Sequence, residues 1–148
     1  MIRAIMILLA SVFLLASPVR AADSDLSGIW LGTWTSLNAT TYNGSVQMRI
    51  EQKGNYVFGD SIVGNTKCSP GRFFEGQLSG KYDNFIEFEV TSAETRNPVA
   101  KNWGAITRDR NAISAIYSFD NPDSECFGDV GTMFISKVQP YSQIQNFR

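Results

Sequence analysis

Apolar and polar positions alternate along most of this chain. Over residues 27–34, Trp30, Gly32 and Trp34 share one side of an extended segment, while Ile29, Leu31 and Thr33 share the other, because successive side chains of a strand point to opposite faces. Ser45 to Gln52 sets Val46, Met48 and Ile50 against Gln47, Arg49 and Glu51. Lys53-Gly54-Asn55 is hairpin-turn chemistry, and a two-residue turn there puts Ile50 on the same face as Val57, Gly59 and Val63. The same register brings Arg49 opposite Asp60 on the outside, a favourable cross-strand pair. Arg72 to Ser79 presents Phe74, Gly76 and Leu78 on one face, and Phe85 to Ser92 sets Ile86, Phe88 and Val90 against Glu87 and Glu89. Further strands are expected over Asn102 to Thr107, Ala112 to Phe119, and Cys126 to about Lys137. No stretch carries a helical stripe.

Eight consecutive strands predict an all-β fold, an eight-stranded antiparallel up-and-down barrel, since closure removes the exposed sheet edges. The long connections, over Asn38 to Asn43, Gly64 to Gly71, Ala93 to Lys101 and Asp120 to Glu125, alternate with tight turns. A meander therefore gathers them at one end, the mouth, with Trp30 near the floor and Trp34 near the opening. The inner face is expected to mix Trp30, Trp34, Phe74, Phe88, Trp103 and Tyr117 with the small residues Gly32, Gly59, Gly76, Ala105 and Ala115. Two readings follow. Trp34, Phe74, Phe88, Trp103 and Tyr117 wall a ligand cavity, because such sites are concave and mostly apolar; or they fill a narrow bore, which is favoured because side chains alone can fill an eight-stranded barrel.

Composition adds a compartment. Met1 to Ala21 reads as a secretory signal, with Arg3 ahead of an apolar run from Ala4 to Ala16 and small residues around Ala21. This predicts a single barrel domain over residues 22–137, a tail over 138–148, and a periplasmic or secreted protein. That apolar run is too short to cross a bilayer and no later stretch could, so no membrane span is expected after cleavage. The chain carries 13 basic and 14 acidic residues, and the signal takes Arg3 and Arg20 from the basic side. No basic run is present, so nucleic acid is not an expected partner. Cys68 and Cys126 are the two cysteines and in an exported protein are expected to form a disulfide. They stand on opposite walls at the mouth, so the bridge would strap a loop across the opening. Ile29 and Leu31 also need cover on the outside. Tyr141, Ile144 and Phe147 of the tail could provide it; a second copy of the chain, making a homo-oligomer, is the alternative.

The sequence contains no histidine, which removes imidazole-based nucleophilic sites, imidazole metal sites and the commonest general base. Glu75, Glu87 and Glu89 fall on outward faces, and no inward carboxylate offers a catalytic acid pair. A non-enzymatic protein without a cofactor is the expectation. Asp120, Asp123, Glu125 and Asp129 cluster around the last loop, but their spacing does not match a twelve-residue calcium loop, and a solvated turn without metal is expected.

Gly28-Ile29-Trp30 at the head of this meander resembles the Gly-x-Trp signature of the lipocalin and avidin-like barrels, the calycins. Together with Gln52-x-Gly54-x-x-Val57-x-Gly59 and Cys126-x-Gly128-Asp129-x-Gly131, it is similar to small exported bacterial domains of that shape, over residues 26–137. The resemblance implies a barrel holding a small ligand at one end. The functional expectation is an exported binding protein for a small apolar or aromatic molecule at the mouth. The alternative is a module binding an extracytoplasmic protein, such as a protease or lysozyme inhibitor, through Tyr42, Arg72, Asp120, Asp123 and Glu125 of the mouth loops.

Overall fold

The computed structural model describes residues 25–38, 43–66, 73–92, 98–124 and 126–140. They form eight strands: β1 (Gly28–Ser36), β2 (Asn43–Lys53), β3 (Tyr56–Gly64), β4 (Phe73–Tyr82), β5 (Ile86–Ser92), β6 (Pro98–Ile106), β7 (Ala112–Ser118) and β8 (Val130–Pro140). Each pairs antiparallel with its neighbours in sequence, and β8 pairs with β1 to close the barrel. The strand ends that carry the four long connections lie at one rim, as the alternation of long and short links requires.

Local chemistry sets the tight end. Gly54 takes a left-handed conformation, φ 61°, and with Asn55 makes the two-residue link between β2 and β3. The resulting register places Arg49 opposite Asp60, where they form an ion pair. Both side chains are about half exposed, so the pair is worth about 0–1 kcal/mol.

The floor is sealed by the segment that enters β1. Leu26 is fully buried; its N–H donates to Gln52 Oε1 at 2.9 Å and its carbonyl accepts from Trp30 Nε1 at 2.8 Å. A bulge in the β1–β8 ladder pairs Ile29 with Gln139 and Trp30 with Lys137. The Lys137 ammonium donates to the Asp25 carbonyl at 2.6 Å and stands 5.4 Å from the centre of the Trp30 ring. Above this floor, Ile50, Val57, Leu78, Ile86, Ile113 and Ile135 fill the bore.

Two boundaries and one facing depart most from the alternation pattern. β6 begins at Pro98, inside the expected loop. β8 begins at Val130, because residues 126–129 are held in turns by Phe127 N–H to Ser124 O, Gly128 N–H to Phe119 O and Asp129 N–H to Cys126 O; it then runs on to Pro140. The facing is that of β6. Asn102 and Gly104 point inward, and Trp103 and Ala105 point outward, with Trp103 47% exposed. The cause is space. Asn102 is flanked in register by Phe88 and Tyr117, and a Cβ on Gly104 would stand only 2.6 Å from that of Ala115, so this sector of the bore has no room for an indole.

Candidate functional site

Two concave regions emerge, one beneath the long-loop rim and one on the outer wall. Beneath the rim, Trp34 at the end of β1 donates its indole N–H to the Gly64 carbonyl at 2.9 Å, which fixes the ring across the top of the bore. Tyr117 of β7 meets it edge to face at 6.1 Å, and Phe119 meets Tyr117 edge to face at 5.7 Å. The Tyr117 hydroxyl donates to Asp129 Oδ2 at 3.1 Å, while Ser36 Oγ and Asn38 Nδ2 donate to Asp129 Oδ1 at 2.6 and 2.9 Å. One carboxylate thus ties the β7–β8 loop to the end of β1. Burial, and then the negative charge of Asp129 beside it, push the Tyr117 hydroxyl well above the usual tyrosine range.

Trp34, Tyr117, Phe119 and Asp129, with Asn102, Thr66, Met48 and Met133, line a cavity of about 50 Å³. That is room for a few water molecules. The Asn102 amide donates over long contacts, 3.5 Å to each of the Phe88 and Ala100 carbonyls.

The candidate ligand residues separate. Trp34 and Tyr117 line the cavity. Phe88 is buried and inward, two residues nearer the floor than Val90, which does line it. Trp103 is on the outer wall and is not a cavity residue. Phe74 lies in β4 opposite Val63, but its side chain is outside the described set. Of the candidate partner residues, Asp120 is exposed and pairs with Lys101 at 3.3 Å, and Asp123 is exposed in a turn where its N–H donates to Asn121 Oδ1 at 2.9 Å. Tyr42, Arg72, Glu125, Cys68 and the tail residues 141–148 lie outside the described residues. Cys126 is buried at the rim, and no described cysteine is free. Among the described residues no cluster of three or more His, Cys, Asp or Glu is placed to hold a metal ion.

Alternation grouped Asp129 with the solvated acids, and it missed both that residue's three hydrogen bonds and Asn102. A lone polar residue between Lys101 and Trp103 gives no sign that it, rather than the indole, faces inward.

The second region is a trough of about 880 Å³ winding obliquely around the outside, from Tyr56 and Phe58 of β3 near the floor to Val130 and Leu37 near the rim. Trp103 and Ile116 oppose each other across β6 and β7 in its wall, and Phe85 stacks on Trp103 at 5.0 Å with 30° between the rings. Tyr56 is 62% exposed and Ile116 54%. Between Tyr56 and Trp103 stand the exposed Lys81 and Glu87, and the next row toward the rim holds the half-buried Glu89 and, on the same strand as Trp103, the exposed Lys101.

No family model matches the chain, and no curated protein matches it. A solved structure described as a redesigned beta barrel is similar over 82% of this chain and 98% of its own, with a TM-score of 0.53 at 18% sequence identity. A likeness at that identity is one of fold alone, and it agrees with the closed eight-stranded ring.

Proposed function

We propose that this chain is an exported, non-catalytic binding module that makes its contacts on the outside of a filled barrel and not around a molecule held within it. The observation that carries this reading is a contrast in volume. The cavity under the rim measures about 50 Å³, whereas pockets for small organic ligands run to roughly 300–1,000 Å³; the outer trough measures about 880 Å³. Large exposed aromatic patches mark binding surfaces, and Trp103 and Tyr56 are of the type that dominates them. The absence of histidine and the outward direction of Glu75, Glu87 and Glu89 support the non-catalytic part. The signal-like Met1 to Ala21 supports export, and the Gly28-Ile29-Trp30 head of a closed meander supports kinship with calycin-like barrels. In this reading Cys68 and Cys126 are bridged, strapping the rim shut above the small cavity.

A second reading keeps a small aromatic ligand at the mouth. It is favoured by the edge-to-face group of Trp34, Tyr117 and Phe119 around that cavity.

Photo-cross-linking separates the two. A photoreactive side chain at position 103 or 56 should give macromolecular adducts in envelope or culture fractions of the producing cell, and one at Gln47 on the opposite wall should not. An absence of adducts from the trough, with a small molecule retained by the purified protein in native mass spectrometry, would favour the mouth.

A further inference from the structure

The trough has a chemical pattern as well as a volume. Across neighbouring strands Tyr56 opposes Lys81, Lys81 opposes Glu87, and Glu87 opposes Trp103. Strands lie about 4.8 Å apart, so the backbones of Tyr56 and Trp103 are three spacings apart around the curved wall, roughly 14 Å. A flat aromatic group therefore stands at each end of a polar middle, and Phe85 stacked on Trp103 steadies one of them.

The charges of that middle balance. The trough's lining carries two cations and two carboxylates, Lys81 opposite Glu87 and Lys101 opposite Glu89, so the lining itself has no net charge and favours neither an anion nor a cation. An extended peptide usually docks on a sheet by adding a strand, and the closed barrel has no edge to accept one. The centre of a protein–protein interface is depleted in Lys and Glu, which here occupy the middle. What remains is a long, neutral ligand with apolar flat faces for the rings and many hydroxyls for the carboxylates and ammonium groups between them.

We propose that the outer trough binds a neutral, extended saccharide chain, its sugar rings packing on Trp103 and Tyr56 and its hydroxyls hydrogen bonding to Glu87, Lys81 and Lys101. This rests on the outer-surface reading and gives it a ligand class.

The test is calorimetric titration of the purified protein with hexasaccharides of β-1,4-linked glucose, β-1,4-linked N-acetylglucosamine and α-1,4-linked glucose. At least one should bind. Trp103→Ala and Tyr56→Ala should each weaken it about tenfold or more, as loss of an aromatic stacking partner does. Gln47→Ala on the far wall should leave it unchanged. Both trough substitutions shorten exposed side chains, and an unaltered circular dichroism melt confirms that each variant is folded. Failure of all three sugars to bind, or binding that survives both alanine variants, overturns the saccharide assignment. If cross-linking from position 103 still yields adducts, the assignment falls and the outer-surface reading stands; if it does not, both fall.

Discussion

Tyr117 joins the core to the rim: its ring packs against Trp34 and Phe119 while its hydroxyl is held by Asp129. Because its folded pKa is raised above the ordinary value of 10.0, the folded state keeps the proton where the unfolded chain loses it. Stability from this site is therefore complete below pH 10.0 and is lost as pH rises above it. Urea denaturation at neutral and strongly alkaline pH should show a larger alkaline loss for the wild type than for Tyr117→Phe, and equal losses would remove the assignment. Ser61 is a converse case, a buried hydroxyl with no hydrogen-bond partner among the described residues. Ser61→Ala should raise the stability by about 1 kcal/mol, read from the urea midpoint. Trp30→Ala should cost about 3–5 kcal/mol by the same measure, because it opens the floor under Leu26 and strips Lys137 of its ring. Single residues were legible in the sequence where large apolar and charged groups strictly alternate, as in Met48, Arg49 and Ile50. They were not legible in β6, where Asn102-Trp103-Gly104 alternates size and polarity in opposite senses and only the bulk of Phe88 and Tyr117 on the neighbouring strands decides which face turns inward.

At the scale of elements, hairpins with glycine turns were readable and rim loops were not. Gly54 announces the β2–β3 link because few other residues take its conformation, and the strand register follows from it. The β7–β8 connection gives no such cue. Its extent is set by hydrogen bonds among Phe119, Ser124, Cys126 and Asp129 that form only once the loop is closed. The pairing of β6 with β7 depends on close approach at Gly104, so Gly104→Val should destabilise the barrel by about 1–3 kcal/mol or more through overpacking. The melting temperature checks this, and an unchanged value would mean that the two strands can separate without cost. The strap proposed between Cys68 and Cys126 belongs here too. Reduction should lower stability by roughly 2–4 kcal/mol, and mass spectrometry finding two free thiols in the non-reduced protein would end the idea.

For the molecule as a whole, the ring of eight strands followed from the count of alternating segments and from the rhythm of long and short links, neither of which needs a tertiary contact to be seen. The place where function would reside did not follow. Its two aromatic ends, Tyr56 and Trp103, are far apart in sequence and become a single surface only when β3 to β6 are laid side by side. Closure also shapes the interior, where the described side chains that seal the floor and fill the bore leave a cavity of about 50 Å³ under the rim. The chain's three tryptophans report on three different places: Trp30 at the floor, Trp34 under the rim and Trp103 on the wall. Their indole N–H resonances in a ¹⁵N-correlated NMR spectrum therefore locate binding directly when the soluble macromolecular fraction of the producing cell's envelope is added. The Trp103 signal should shift or broaden while those of Trp30 and Trp34 stay in place; movement of Trp34 with Trp103 unaffected would contradict binding on the outer wall.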